Sequence, residues 1–181
     1  SPRFGSLDNT DFDEQEFERT FPKAPGLALP LCWHWIRRQN ALVVAGDSEG
    51  AAAAADNAEP VLWVTEAFPE FVEHHFYAAL ARADCLGRAD EATKPRLRAA
   101  LDSNLRRLDT FAENSPHTWA SRASLASAEL ARVEGRERDA MDGYERAIRA
   151  ARAENFIHIE ALAFELAARF YDARSFELVA A

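Results

Sequence analysis

The chain has 181 residues, 48% hydrophobic and 28% charged, which suits a folded domain with its own core rather than a disordered segment. Its net charge of −9 and pI near 5.1 argue against a nucleic-acid backbone as partner, because an acidic surface repels phosphates. No apolar run reaches membrane-spanning length and no signal peptide is visible, so membrane contact is not expected.

Residues 1–9 read as a loose tail. In "TDFDEQEFERTF", Asp11 with Glu14 suggests a capping box, Phe17 and Phe21 share a face, and Pro22 ends the short helix. "PKAPGLALP" reads as linker, so residues 1–29 form a tail, short helix and linker ahead of a helical domain over 30–181. A helix is expected from Pro30 to Ala45, stopped by Gly46-Asp47, and an alanine-rich one over 48–58 before Pro60. Pro69 opens a helix reaching about Leu86, and Pro95 one reaching about Glu113. Ser115-Pro116 caps another, which Gly135 ends. Helices over 136–154 and 157–172 follow, and a last one begins near Ser175. No segment shows sustained period-two alternation, and strong helix formers dominate, so the fold class is all-α. The start at Ser1 and the ending "FELVAA" read as a piece of something longer.

Two stretches share a spacing. Counting from Gly135, Ala140, Tyr144 and Ala147 stand five, nine and twelve on; counting from Gly46, Ala51, Ala55 and Ala58 do the same. This spacing resembles the second helix of a tetratricopeptide repeat, where a small residue lets paired helices approach and a bulkier one fills the gap beside it. Trp35 falls where that repeat carries its first-helix tryptophan, and Leu166, Ala167 and Phe170 fit a further first helix. The units recur at roughly 40–48 residues rather than 34, and Gly87 is followed by the insertion "RADEATKP". The expected architecture is an array of antiparallel helix pairs, a tetratricopeptide-like α-solenoid.

No catalytic constellation is present. His74 and His75 are adjacent and so diverge on a helix. Glu154 and His158 are separated by a loop at Asn155. No HExxH, zinc spacing, GxxxxGK[ST] or GxGxxG occurs, so neither metal nor cofactor is expected and the segment is not read as an enzyme. Ser121, Ser124 and Ser127 read as small packing residues, and Glu145–Arg149 and Arg138–Asp142 as surface pairs. Cys32 and Cys85, far apart in apolar contexts, read as buried free thiols of a reducing, cytoplasmic compartment. Aromatic residues concentrate in "WHWIRR" and "VLWVTEAFPEFVEHHFY". If first helices line a groove, the register turns Trp33, Ile36, Asn40, Arg122, Glu129, Arg132, Phe164 and Tyr171 toward it, a set suited to holding protein through aromatic anchors and charges.

The stretch from "ASRASLASAELARVEGRERDAMDGYERAI" to "EALAFELAARFYDARSFELVA" resembles the helical region of large bacterial hybrid signalling kinases. So do "CWHWIRRQNALVVAGD", "AEPVLW" and "EHHFYAALA", in order. Phe164 and Ser175 depart from that pattern, where a polar Asn and a Gly are usual. The resemblance implies a non-catalytic region between an AAA-type ATPase module and a GAF domain, with a Ser/Thr-kinase-like domain upstream and often a histidine kinase downstream. Its partners would be proteins or neighbouring domains. An apolar pocket between helix pairs, sensing a small molecule and regulating those neighbours, is the alternative.

Overall fold

The structure, a computed structural model, describes residues 9–11, 13–20 and 26–174. Expectations for the first residues, Phe21, Pro22 and the helix near Ser175 lie outside them. The described residues are all-helical, without a strand: α1 (Glu14–Thr20), α2 (Ala28–Ala45), α3 (Ser48–Ala58), a 3-10 stretch (Glu59–Thr65), α4 (Pro69–Arg88), α5 (Lys94–Asn114), α6 (Pro116–Val133), α7 (Glu137–Ala153) and α8 (Ile157–Asp172). None of these helices is long and apolar enough to cross a membrane. The chain packs as two compact units, Ser1–Asn104 and Leu105–Ala181, and the division falls inside α5.

One backbone device makes the tight helix-to-helix turns. At Gly46 (φ 78°) α2 ends, with Gly46 N–H donating to Val43 O (3.0 Å) and Asp47 N–H to Leu42 O (2.9 Å). Gly135 (φ 71°) repeats it, with Arg136 N–H donating to Ala131 O (2.9 Å), and Asn155 (φ 57°) repeats it again, with Phe156 N–H donating to Ala151 O (2.9 Å). Each left-handed residue lets the chain reverse while the last carbonyls stay bonded. Asp47 also accepts from Gly50 N–H (2.9 Å), so one dipeptide ends α2 and caps α3.

Two boundaries differ from the sequence expectation. The cap of α1 is Asp13, which accepts from Glu16 N–H at 2.8 Å; Asp11 lies outside the helix and donates its N–H to Asn9 Oδ1 (2.8 Å). Helix α2 begins at Ala28, two residues before Pro30, because a proline in the first turn forfeits only an N–H that has no helical partner.

In the first unit α3 packs on both α2 and α4. Ala51, Ala54, Ala55 and Ala58 of α3 are all buried, as are Phe76, Ala79 and Leu80 of α4. Polar groups pin this core. Gln39 Nε2 donates to His74 O (2.9 Å), and Gln39 Oε1 lies 3.1 Å from His74 Nδ1, so Nδ1 carries the proton. Burial, then the charges near His75 and Arg82, push the His74 pKa down to about 3.

In the second unit α7 packs on α6 and α8 on α7. The helices meet closest at Gly143, where an added Cβ would stand 2.8 Å from Ala128 Cβ and 3.1 Å from Ala128 Cα. Ala140, Tyr144, Ala147 and Ala151 fill the rest of the α7 contact line, all buried.

Two predictions follow from this packing. Gly143→Ala gains about 1 kcal/mol of helix propensity. It collides with the Ala128 Cβ, a methyl with no rotamer to move to, which costs about 1–3 kcal/mol. The net is a lower Tm, partly restored by adding Ala128→Gly; a Tm raised by the single change would refute the close contact. For His74, whose folded pKa lies below the unfolded value, stability is complete above about pH 6.5 and falls as pH drops toward about 3. His74→Leu should flatten that acid slope in urea melts between pH 7 and 4, and an unchanged slope would assign the loss elsewhere.

Candidate functional site

The residues that sequence reasoning turned toward a groove divide between the units. On α2, Trp33 is 37% exposed and Asn40 half-buried, but Ile36 is fully buried among the core side chains and cannot meet a partner. Trp33 stacks edge-to-face on Phe68, itself exposed, with ring centroids 5.9 Å apart, and Arg37 pairs with Glu70 at 3.0 Å. Trp63, on the 3-10 stretch, is 67% exposed while its neighbours Leu62 and Thr65 are buried.

In the second unit, Arg122 and Glu129 are buried, which corrects their assignment as open groove residues. Arg122 lies between two rings, 5.1 Å from Trp119 and 5.0 Å from Phe156. Its guanidinium also donates to Thr118 O (3.2 Å) and sits 3.4 Å from His158 Nε2. Glu129 accepts a short hydrogen bond from Tyr144 Oη and a second from Arg132 Nε (2.9 Å). Burial and then the Glu129 charge hold the Tyr144 hydroxyl well above its usual range, so it stays a donor. Tyr144 meets the Phe170 ring at 5.5 Å, and Arg174 covers Phe170 at 4.0 Å while bonding Glu137 (2.9 Å). These charges lock α6, α7 and α8 together. Phe164 remains 48% exposed, with Arg152 over its ring at 5.7 Å, and Tyr171 is half-buried against Phe170.

Two polar clusters escaped the sequence reading. Arg82, 2% exposed, donates to Asn104 Oδ1 (2.7 Å), Asp56 Oδ1 (2.7 Å) and Glu59 Oε1 (2.6 Å), and Asn104 reaches His75 Nδ1 (3.0 Å). The signal was a lone arginine in the apolar run "FYAALARADC". Glu14, Glu18 and His34 bring three potential metal donors within 4.8 Å of one another. Arg38 Nη1 already lies 3.0 Å from Glu14 and 2.5 Å from Glu18, so its guanidinium supplies the positive charge a cation would bring. The signal was a pair of complementary i,i+4 spacings, Glu14/Glu18 and His34/Arg38.

His74 and His75 diverge to separate partners, Gln39 and Asn104. Glu154 turns to His117 (2.7 Å) rather than to His158. The Glu145–Arg149 pair forms at 3.9 Å. Cys32 is buried as a free thiol with its pKa pushed up by burial, and Cys85 is half-buried and free.

Neither a protein-family model, nor a curated protein, nor a solved structure matches this chain.

Replacing a partner of a buried polar group leaves the other unsatisfied, at about 1–3 kcal/mol. Glu129→Ala should therefore cost about that much in chemical denaturation. Arg132→Ala, which removes a half-exposed partner, should cost less. Equal, negligible losses for both would show that the Glu129 cluster holds nothing together.

Proposed function

We propose that the chain is a tetratricopeptide-like helical scaffold, non-catalytic itself, that holds protein–protein or interdomain contacts within a cytoplasmic signal-transduction kinase. Three features support the solenoid reading: the α6–Gly135–α7 hairpin, the same turn leading into α8, and the buried Ala140, Tyr144 and Ala147 at the repeat's spacing. The kinase setting rests on the sequence resemblance.

The observation that carries a binding role is the set of large apolar side chains held at the surface. Trp33 and Phe68 stack on each other in the open, with Trp63 and Phe164 also exposed. Aromatic side chains cost little entropy to immobilise and dominate the energetics of protein contacts. Three clefts among the described residues, of about 350, 400 and 410 Å³, are lined largely by alanines and charged side chains.

The test is site-specific photo-crosslinking in cells. A crosslinking residue at Trp33 or Phe164 should capture a partner or neighbouring domain severalfold above the same residue at exposed Asp172. Equal capture at all of these positions would sink the scaffold reading.

A further inference from the structure

Helix α1 turns one face to α2. Glu14, Phe17 and Glu18, at i, i+3 and i+4, are buried or half-buried, while Gln15, Glu16 and Arg19 are exposed. That inward face is charged apart from Phe17, unlike α3 and α7, which bury alanines. Helix α1 is also absent from the closely packed helix pairs, in which α3 joins α2 and α4. Long side chains hold it instead. Arg38 Nη1 lies 3.0 Å from Glu14 Oε1 and 2.5 Å from Glu18 Oε1. His34 Nε2 lies 3.1 Å from Glu18 Oε1, and the His34 ring meets Phe17 with centroids 4.8 Å apart.

On α2 these contacts outline a receptor for an acidic helix. His34 and Arg38 stand one turn apart. Trp35 lies beside both, its ring 5.0 Å from the His34 ring and 5.9 Å from the Arg38 guanidinium. With α1 in place His34 is buried. Helix α1 has seven residues. Helices shorter than about 12 residues are marginal alone in water, so α1 keeps its shape by docking. Its ties run through partly exposed side chains, Arg38 at 31% and Glu18 at 24%. Ion pairs of that kind contribute little each and are screened by salt.

We infer that α1 is an exchangeable strap. It occupies, within the chain, a docking site on α2 formed by His34, Trp35 and Arg38, and that site takes an acidic helical segment of a protein partner. The occupant's chemistry is written in α1 itself: two carboxylates one turn apart with an aromatic side chain between them. The inference rests on the scaffold reading for a protein partner and adds the site, its occupant and what covers it. A tethered strap competes at high effective concentration, so a partner binds in proportion to the fraction of chains whose strap is released.

Amide hydrogen exchange on the full chain tests the strap. Exchange at residues 17–20 should quicken about tenfold in Arg38→Gln, and likewise in Glu14→Gln with Glu18→Gln, with α3 and α4 unchanged. Unchanged exchange in α1, or equal quickening through α3 and α4, would make α1 a fixed part of the core and overturn the strap. The probe for the site is a fluorescent, end-capped peptide of residues 10–21. It should bind the Glu14→Gln/Glu18→Gln chain saturably and about tenfold more tightly than the unaltered chain, because the competing strap is weakened. Adding Arg38→Gln to that chain, or placing both glutamines in the peptide, should abolish the gain. Absence of saturable binding to the loosened chain, or an affinity indifferent to Arg38, would overturn the site. Crosslinking reads Trp33 and Phe164 whereas exchange reads α1, so the scaffold reading and the strap fail separately.

Discussion

Gly143 lies against the Cβ and Cα of Ala128 at a distance that leaves no room for a further carbon atom, and the contact of α6 with α7 is built on that approach. Because α6 and α7 come so close there, the next residue, Tyr144, reaches Glu129 with its hydroxyl and Phe170 with its ring. A wider spacing would leave the Glu129 carboxylate buried and short of a donor, which costs more than the bond itself contributes. The contact is thus both a packing point and the condition for the polar lock beside it. In the first unit the alanines of α3 serve the same geometric purpose, letting one helix lie close to both α2 and α4.

Polar groups inside the units are used to join helices. Arg82 ties α4 to the end of α3 and to Asn104, Gln39 clasps His74, and Arg38 holds Glu14 and Glu18. Each is buried or half-buried with its charge or amide answered by named partners, so removing one strands the others. With those groups committed to structure, the large apolar side chains left exposed include Trp33, Trp63, Phe68 and Phe164.

Much of the fold was legible. Gly46 and Gly135 mark helix ends because a left-handed residue is needed there, and Pro69 and Pro116 mark starts because a missing N–H is harmless there. The spacing from Gly135 to Ala140, Tyr144 and Ala147 pointed to residues that are all buried at the contact line. Reading a binding face was harder. Periodicity puts residues on one side of a helix, but α6 is packed on several sides, so Arg122 and Glu129 could share a face with Arg132 and still be enclosed. Trp33 and Phe164 kept their exposure because no described helix covers that side of α2 or α8.

By itself the sequence determined the helices, their turns and the small residues at which they meet, because propensity, capping and steric limits act within a few residues of chain. Tertiary structure decided which charged side chains became locks and which stayed available. Glu129, Arg82 and Arg38 find their partners across helices, 15 to 26 residues away. Such pairings depend on the angle and distance between packed helices, and local spacing along one helix carries neither.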